Sequence, residues 1–392
     1  MFNEDSRVKI PAILHLCRLG YTYIPKSKQD RLEDHNIFPD IFKRSISKIN
    51  PDITEDEVQR LLTDVSLKLN DDDLGREFFR MLINTSGTRL IDFENFNNNE
   101  FHVTTELTCK KGDEEFRPDI TVLINGMPLV FIEVKKPNNR EGVIAERNRI
   151  NRRFALKDFK AFTNITQLML FSNNMEYEDG VVEPIMGAYY ATPSKDGVMF
   201  NYFREEELLN YTHLLKPENE ELENLVLKDN NIVAIKYTDE FKVNKNYETP
   251  TNRIITSLLS RERLAFFLQF GITYVERTNR EGKILIEKHI MRYPQFFASR
   301  AITHKLDEGI KKGIIWHTQG SGKTALAYYN VKYLSHYYQK KNTIAKFYFI
   351  VDRIDLAIQA QTEFRSRGLS VKMVNSRTEF IQDIKKASAL LN

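Results

Sequence analysis

Apolar residues recur at helical spacing from Val8 to Leu19, and Gly20 is placed to stop that helix before Tyr21-Thr22-Tyr23-Ile24. Pro25 to Asp34 is polar and reads as a loop. Pro51-Asp52-Ile53-Thr54-Glu55 opens a second helix, and a third runs from about Asp73 to Ile83. The period then changes. Phe101 to Leu107, Asp119 to Ile124 and Leu129 to Val134 predict strands, with Asn125-Gly126 as the strongest short-range turn signal among them. Glu141 to Phe162 predicts mainly helix, followed by strands near Leu168 to Phe171, Val181 to Tyr190 and Val198 to Tyr202. This order describes a compact α/β unit with a mixed sheet.

Pro217 to Asn231 is charge-rich, with helical character from Glu220 to Leu227, and Tyr237 to Thr251 offers a boundary near residue 240. Two domains, 1–240 and 241–392, follow. In the second, Thr251 to Leu259 and Arg263 to Leu268 predict helices, and Ile272 to Val275 and Lys283 to Ile286 short strands. The last quarter alternates: helix Pro294 to Leu306, strand Gly313 to Trp316, helix from Lys323, strand Phe347 to Val351, helix Asp355 to Phe364, strand Val371 to Val374, helix Glu379 to Leu391. That alternation predicts a parallel, doubly wound sheet. Three strands are few for a nucleotide-hydrolysing fold of this type, so the expectation is a truncated chain.

A length of 392 residues accommodates two or more domains. With 57 Lys and Arg against 54 Asp and Glu, the net charge of +3 does not by itself argue for nucleic-acid binding, so any such surface must come from local clustering. Cys17 and Cys109 lack metal or redox-pair spacing and read as buried thiols in a reducing compartment. No apolar run has membrane-spanning length, and Asn3, Glu4 and Asp5 stand where a secretory leader would be basic, which predicts a soluble, cytoplasmic protein. His15 and His102 read as structural.

Two constellations carry phosphate chemistry. Arg117-Pro118-Asp119 precedes Glu133-Val134-Lys135, and in a strand Glu133 and Lys135 emerge on one face. Two carboxylates near an ammonium suit a magnesium-dependent nuclease, with Asp119 as the second acid. The register decides whether Asp119 reaches the site. A strict two-residue Asn125-Gly126 turn puts Asp119 opposite Ile132, on the wrong face; a three-residue connection ending in a bulge pairs it with Glu133. A nuclease therefore needs an odd loop or bulge between Ile124 and Pro128. The plainer alternative is a strand-edge ion pair, although the apolar run Leu129 to Val134 argues for a central strand. Downstream, Arg149, Arg153 and Lys157 recur every four residues, with Lys160 near the same stripe; the face suits DNA phosphates, but Glu141, Glu146 and Asp158 weaken its field, so a solvated helix face is an equal alternative.

The second constellation is Gly320-Ser321-Gly322-Lys323-Thr324 between a predicted strand and helix. Its backbone amides suit phosphate oxygens, Lys323 the β and γ phosphates of ATP, and Thr324 the accompanying magnesium. His317 stands where the full motif has its first glycine. Gln295 reads either as an adenine contact or as a helix-start residue, and Arg353 either as a phosphate contact or as a cap or salt-bridge residue.

Taken together, Arg117-Pro118-Asp119, Phe131-Ile132-Glu133-Val134-Lys135-Lys136-Pro137, the segment Ile314 to Thr324 and Ile350-Val351-Asp352-Arg353-Ile354-Asp355-Leu356 resemble the N-terminal portion of the restriction subunit of type I restriction-modification enzymes. The resemblance implies a PD-(D/E)xK nuclease-like mixed sheet followed by an incomplete RecA-like motor. It implies that Asp119, Glu133 and Lys135 form the nuclease centre, with Glu4 as an additional acidic member. It further implies that Gln295 reads adenine, and that Lys323 and Thr324 serve phosphate and magnesium in a superfamily 2 translocase. Such subunits assemble with modification and specificity subunits, translocate double-stranded DNA on ATP and cut it away from the recognition site. The sequence departs from that family on the helix after Lys135, where Asn148 to Arg152 stands in place of a glutamine and tyrosine four residues apart. The chain also ends before any Asp-Glu motif or arginine finger of the motor, so little or no isolated ATP hydrolysis is expected. A helicase whose N-terminal domain binds DNA without cutting it is the competing reading; a structural docking module is a blander one.

Overall fold

The structure is a computed structural model that describes residues 4–111, 114–137, 142–177, 186–279, 281–374 and 376–389. The chain divides into two compact units, 1–272 and 273–392.

The first unit is built on a seven-stranded mixed sheet, with strands β1 (Thr22–Tyr23), β2 (Phe101–Thr105), β5 (Ile120–Ile124), β6 (Met127–Val134), β7 (Leu168–Ser172), β8 (Ala188–Ala191) and β9 (Asn201–Tyr202) adjacent in that order. A separate two-stranded ladder pairs β3 (Cys109–Lys111) with β4 (Glu114–Phe116). Pairs β1/β2 and β6/β7 are parallel and the other neighbours antiparallel. β6 is buried along its whole length, as an apolar run bonded on both edges must be. On one sheet face, Val143, Ile150 and Phe154 of helix α5 (Gly142–Ala155) join Phe131, Met169, Phe171 and Tyr189 in the core. Ser172 points to the other face and bonds Thr251 of helix α10 (Pro250–Leu259) at 2.8 Å.

Local signals account for most of the elements. Helix α1 (Ile10–Arg18) continues a π-helical turn, Asp5–Lys9, and ends at Gly20, whose φ of +97° is open to glycine. Thr54 and Glu57 close a capping box on α3 (Glu55–Lys68). The third expected helix is the shorter Arg76–Leu82. Of the strand expected at Val181 to Tyr190, residues 181–185 lie outside the described residues; the strand expected at Val198 to Tyr202 contracts to Asn201–Tyr202.

The break in packing does not fall near residue 240. Residues 241–272 cluster with the first unit, because α10 buries Ile254, Ile255, Leu258 and Leu259, Thr256 bonds the buried His15 at 2.7 Å, and the Leu259 carbonyl accepts from the Tyr21 hydroxyl at 2.7 Å.

The second unit carries the hairpin β10/β11 (Ile272–Thr278 and Ile284–Ile290) and helices α12 (Tyr293–Asp307), α13 (Lys323–Gln339), α14 (Ile354–Ser366) and α15 (Arg377–Ala389). The helices match the expected alternation; among the described residues the expected parallel sheet is not formed. Among the described residues no strand occupies Gly313–Trp316, Phe347–Val351 or Val371–Val374. A parallel strand needs bonded neighbours and two covered faces. Here Ile314, Trp316 and Ile350 are 92%, 91% and 77% exposed, so neither condition is met.

Candidate functional site

The β5/β6 hairpin sets the site. Asn125 and Gly126 both take positive φ, +50° and +79°, and make a two-residue turn that pairs Ile124 with Met127 and Leu123 with Pro128. Beyond it the register shifts: Val122 faces Val130, Thr121 faces Phe131 and Ile120 faces Ile132. Leu129 is the extra residue of a bulge. The displacement needed to bring Asp119 opposite Glu133 therefore exists, but it lies inside β6, one position past the interval expected from sequence, while the turn stays at two residues.

Continuing that register by one residue puts Asp119 beside Glu133. An Asp119 carboxylate oxygen accepts from the Val134 backbone N–H at 2.9 Å. Lys135 Nζ lies 3.8 Å from Asp119 and 3.8 Å from Glu133, and donates to the Val134 carbonyl at 2.8 Å. Its backbone N–H donates to the Ser172 carbonyl at 2.8 Å, which extends the β6/β7 ladder to the site. Burial, then the charges of Asp119 and Glu146, push the Glu133 carboxyl well above the usual carboxylate range. Its Oε1 is buried without a hydrogen-bond partner. Burial acts against the Lys135 ammonium, but Asp119, Glu133, Glu146 and Glu4 outweigh it and raise its pKa. Glu4 also lies in this field; burial is the main cause of its raised pKa, with Lys135 opposing and Asp119 reinforcing.

Glu146 is the residue that sequence reading missed as a site member. It is 2% exposed, and its carboxylate lies 3.6 Å from Lys135, 3.1 Å from Arg149 and 3.3 Å from Arg153. A signal was present: Glu146 interrupts the apolar stripe Val143, Ile150, Phe154. The basic stripe changes meaning accordingly. Arg149 and Arg153 pair with Glu146, and Arg153 also stacks over Phe116 at 3.8 Å from the ring centroid. Lys157 falls in a separate 3-10 turn after Leu156 leaves helical geometry, so the four-residue repeat does not continue on one helix.

In the second unit, Gly320 and Gly322 take φ of +78° and +81°, and Gly322 caps α13 immediately before Lys323. Lys323 Nζ donates to the carbonyls of Thr318 at 3.0 Å and His317 at 3.3 Å, while the Ser321 hydroxyl donates to Thr318 at 2.8 Å. Thr324 is half-buried on the first turn. Gln295 is buried; its Oε1 accepts from the Arg292 backbone N–H at 2.9 Å, and its Nε2 donates to the Gly322 carbonyl at 3.1 Å. It is thus a helix-start residue that also holds the glycine loop. Arg353 forms a two-point ion pair with Asp355 at 3.2 and 2.5 Å. The histidines and thiols are structural in setting: His15 and His102 are buried, and burial pushes Cys17 and Cys109 each up to about 12.

Residues 1–178 match the family model of the type I restriction enzyme R protein N terminus, and residues 294–391 that of the SWI2/SNF2 ATPase. The chain is similar to the endonuclease (R) subunits of type I restriction enzymes. It is 26% identical to the SsaAORF53P endonuclease subunit of Staphylococcus saprophyticus over 94% of this chain and 34% of that protein. With the HindI endonuclease subunit of Haemophilus influenzae it shares 24% identity over 88% of this chain and 30% of the relative. A Methanocaldococcus jannaschii relative is 25% identical over 98% of this chain and 36% of its own length. The chain therefore spans about a third of the length of the curated relatives it matches. No helix among the described residues is long and apolar enough to cross a membrane.

Proposed function

We propose that this chain is the nuclease and opening motor portion of a type I restriction endonuclease subunit, a magnesium-dependent cutter of double-stranded DNA joined to the start of an ATP-driven translocase. Modification and specificity subunits are its proposed partners. The observation that carries the reading is the Leu129 bulge, since without it Asp119 and Glu133 would leave opposite faces of the hairpin. A bulge that serves only to relieve strain has no reason to join two carboxylates and a lysine in a nearly dry site.

The donor set fits a hard divalent cation. Glu133 Oε1 is buried and unpartnered, and both acids offer oxygen. Asp119 and Glu133 would hold the ion, with Glu4 near enough to act on the same field. Among the described residues no group of three or more His, Cys, Asp or Glu forms a metal cage. Magnesium keeps several waters and shares its shell with phosphate oxygens. When bound, it supplies a more acidic water and positive charge beside the phosphate. Lys135 offsets charge on the attacked phosphate and orients the water through an ammonium proton. The Val134 N–H keeps one Asp119 oxygen fixed while that work is done. In the motor half, Lys323 is the proposed ligand of the β and γ phosphates and Thr324 of their magnesium, while Gln295 braces the loop through the Gly322 carbonyl. Gly320, Ser321 and Gly322 supply the cradle.

The test is plasmid cleavage and ATP hydrolysis by the assembled full-length enzyme with Lys135→Ala. The reading expects lost cutting with hydrolysis retained. Cutting at the normal rate would favour a translocase whose N-terminal unit only binds DNA.

A further inference from the structure

The face that α5 turns to the sheet is written at helical spacing: Val143, Glu146, Ile150 and Phe154, all buried. Three of these are apolar and fill the core. The fourth is a carboxylate with 3% of its side chain exposed, at a position where an apolar residue would be the cheaper choice. A stabilising ion pair placed for its own sake would lie on the outer face of the helix, where neither partner has to be desolvated. Glu146 instead faces three cations of different depth: Oε1 accepts a hydrogen bond from Arg153, and the buried Oε2 lies within ion-pair distance of Lys135 and Arg149 without a hydrogen bond. Lys135, 15% exposed, lies at 3.6 Å; Arg153, 21% exposed, at 3.3 Å; Arg149, 48% exposed, at 3.1 Å. The cations thus run from the floor of the cluster toward solvent. Facing Lys135 from the other elements are Asp119 before β5, Glu133 on β6 and Glu4 at the start of the first helix.

We propose that Glu146 is a positioning residue of the cutting centre: it seats the Lys135 ammonium beside Asp119 and Glu133 and holds Arg149 and Arg153 next to them, so that an entering DNA phosphate meets three cations in fixed array. The inference rests on the nuclease reading and deepens it. Arg149 and Arg153 then act as parts of the cutting site rather than as members of a separate DNA-binding stripe. The arrangement fills, by a different chemistry, the place where the helix after the lysine strand lacks a glutamine-tyrosine pair.

The experiment uses the full-length subunit in its assembled complex, comparing wild type with Glu146→Gln, Glu146→Asp and Lys135→Ala. Glutamine keeps the shape and removes the charge. Glu146→Gln is expected to slow cutting at saturating DNA by about 10- to 100-fold, the usual cost of losing a group that orients a reactive one. The DNA concentration for half-maximal rate should move by less than about threefold, with ATP hydrolysis near wild type and the fall in melting temperature small enough to leave the subunit folded at the assay temperature. Glu146→Asp should recover part of the rate. Two results overturn the proposal while Lys135→Ala is inactive: Glu146→Gln cutting within about twofold of wild type, or a loss of cutting matched by equal loss of hydrolysis and melting temperature. Normal cutting by Lys135→Ala would instead remove the nuclease reading on which the proposal stands. If Glu146→Gln does not fold, Arg149→Met at its half-exposed position takes its place, with about tenfold slower cutting expected and the wild-type rate refuting the array.

Discussion

The two units place their charged groups on unequal supports. In the first, Glu133 and Lys135 sit at the end of a strand bonded on both edges, and the Lys135 N–H still belongs to the β6/β7 ladder. In the second, the glycine loop follows a segment with no ladder at all, and Lys323 is exposed and satisfied by carbonyls of its own loop. The acidic cluster is therefore held by tertiary structure, whereas the loop is held by α13 behind it and by Gln295 across from it. Preorganisation is a property of the supporting shell, and the same chain has it in one place and much less of it in the other.

The largest effects should separate the two supports by activity. Lys135→Ala in the assembled full-length enzyme is expected to reduce plasmid cutting by at least about 100-fold with ATP hydrolysis near wild type, because no nucleotide contact is lost. Lys323→Ala should reduce hydrolysis by a comparable factor of about 100 and remove translocation, as the phosphates lose a fixed charge. If cutting depends on DNA delivered by the motor, it falls as well. Normal cutting by Lys323→Ala, measured on supercoiled plasmid beside hydrolysis, would mean two independent enzymes on one chain.

A smaller effect should fall on stability. Gly126→Ala meets two obstacles: a φ of +79°, and a Cβ that would come within 2.7 Å of both the Phe38 carbonyl and the Phe42 nitrogen. A loss of about 2 to 3 kcal/mol in urea unfolding of the first unit's transition is expected. A loss below about 0.5 kcal/mol would mean that the turn is free to move off helix α2 (Pro39–Ile49).

The smallest concerns pH. Burial, then Arg18, pushes the His15 imidazole down from 6.5 to about 3. On lowering the pH, the unfolded chain takes up a proton near 6.5 while the folded chain stays neutral until about 3, so stability falls across that window and is flat above it. His15→Leu should flatten the slope of unfolding free energy between about pH 5 and pH 7. An unchanged slope would assign acid sensitivity to other groups.

How legible each unit was in sequence follows from the same contrast. The helices and most strands of the first unit are written in local periodicity, caps and one Asn-Gly turn. The bulge itself was legible only as a need, since nothing about Leu129 in a run of apolar residues marks it as the extra one. Along the basic stripe Glu146 shows only as a charge that weakens the field; its place in the site emerges when it is set against the apolar stripe it interrupts. In the second unit, the helix pattern appears where expected. The strand pattern does not produce strands, because a parallel ladder depends on neighbours that no local stretch encodes.

The bulge has one more consequence. By lying inside β6 and not in the turn, it gives the hairpin two independent adjustments. The turn end is fastened, with the Gly126 carbonyl accepting from the Phe38 N–H at 2.9 Å and Asn125 bonded to Leu90 and Asn99. Leu129 sets the phase of the far end, as a vernier sets alignment on a clamped rule. As long as the turn keeps its two residues, substitutions there act on anchorage, while changes at Leu129 act on the alignment of Asp119 with Glu133.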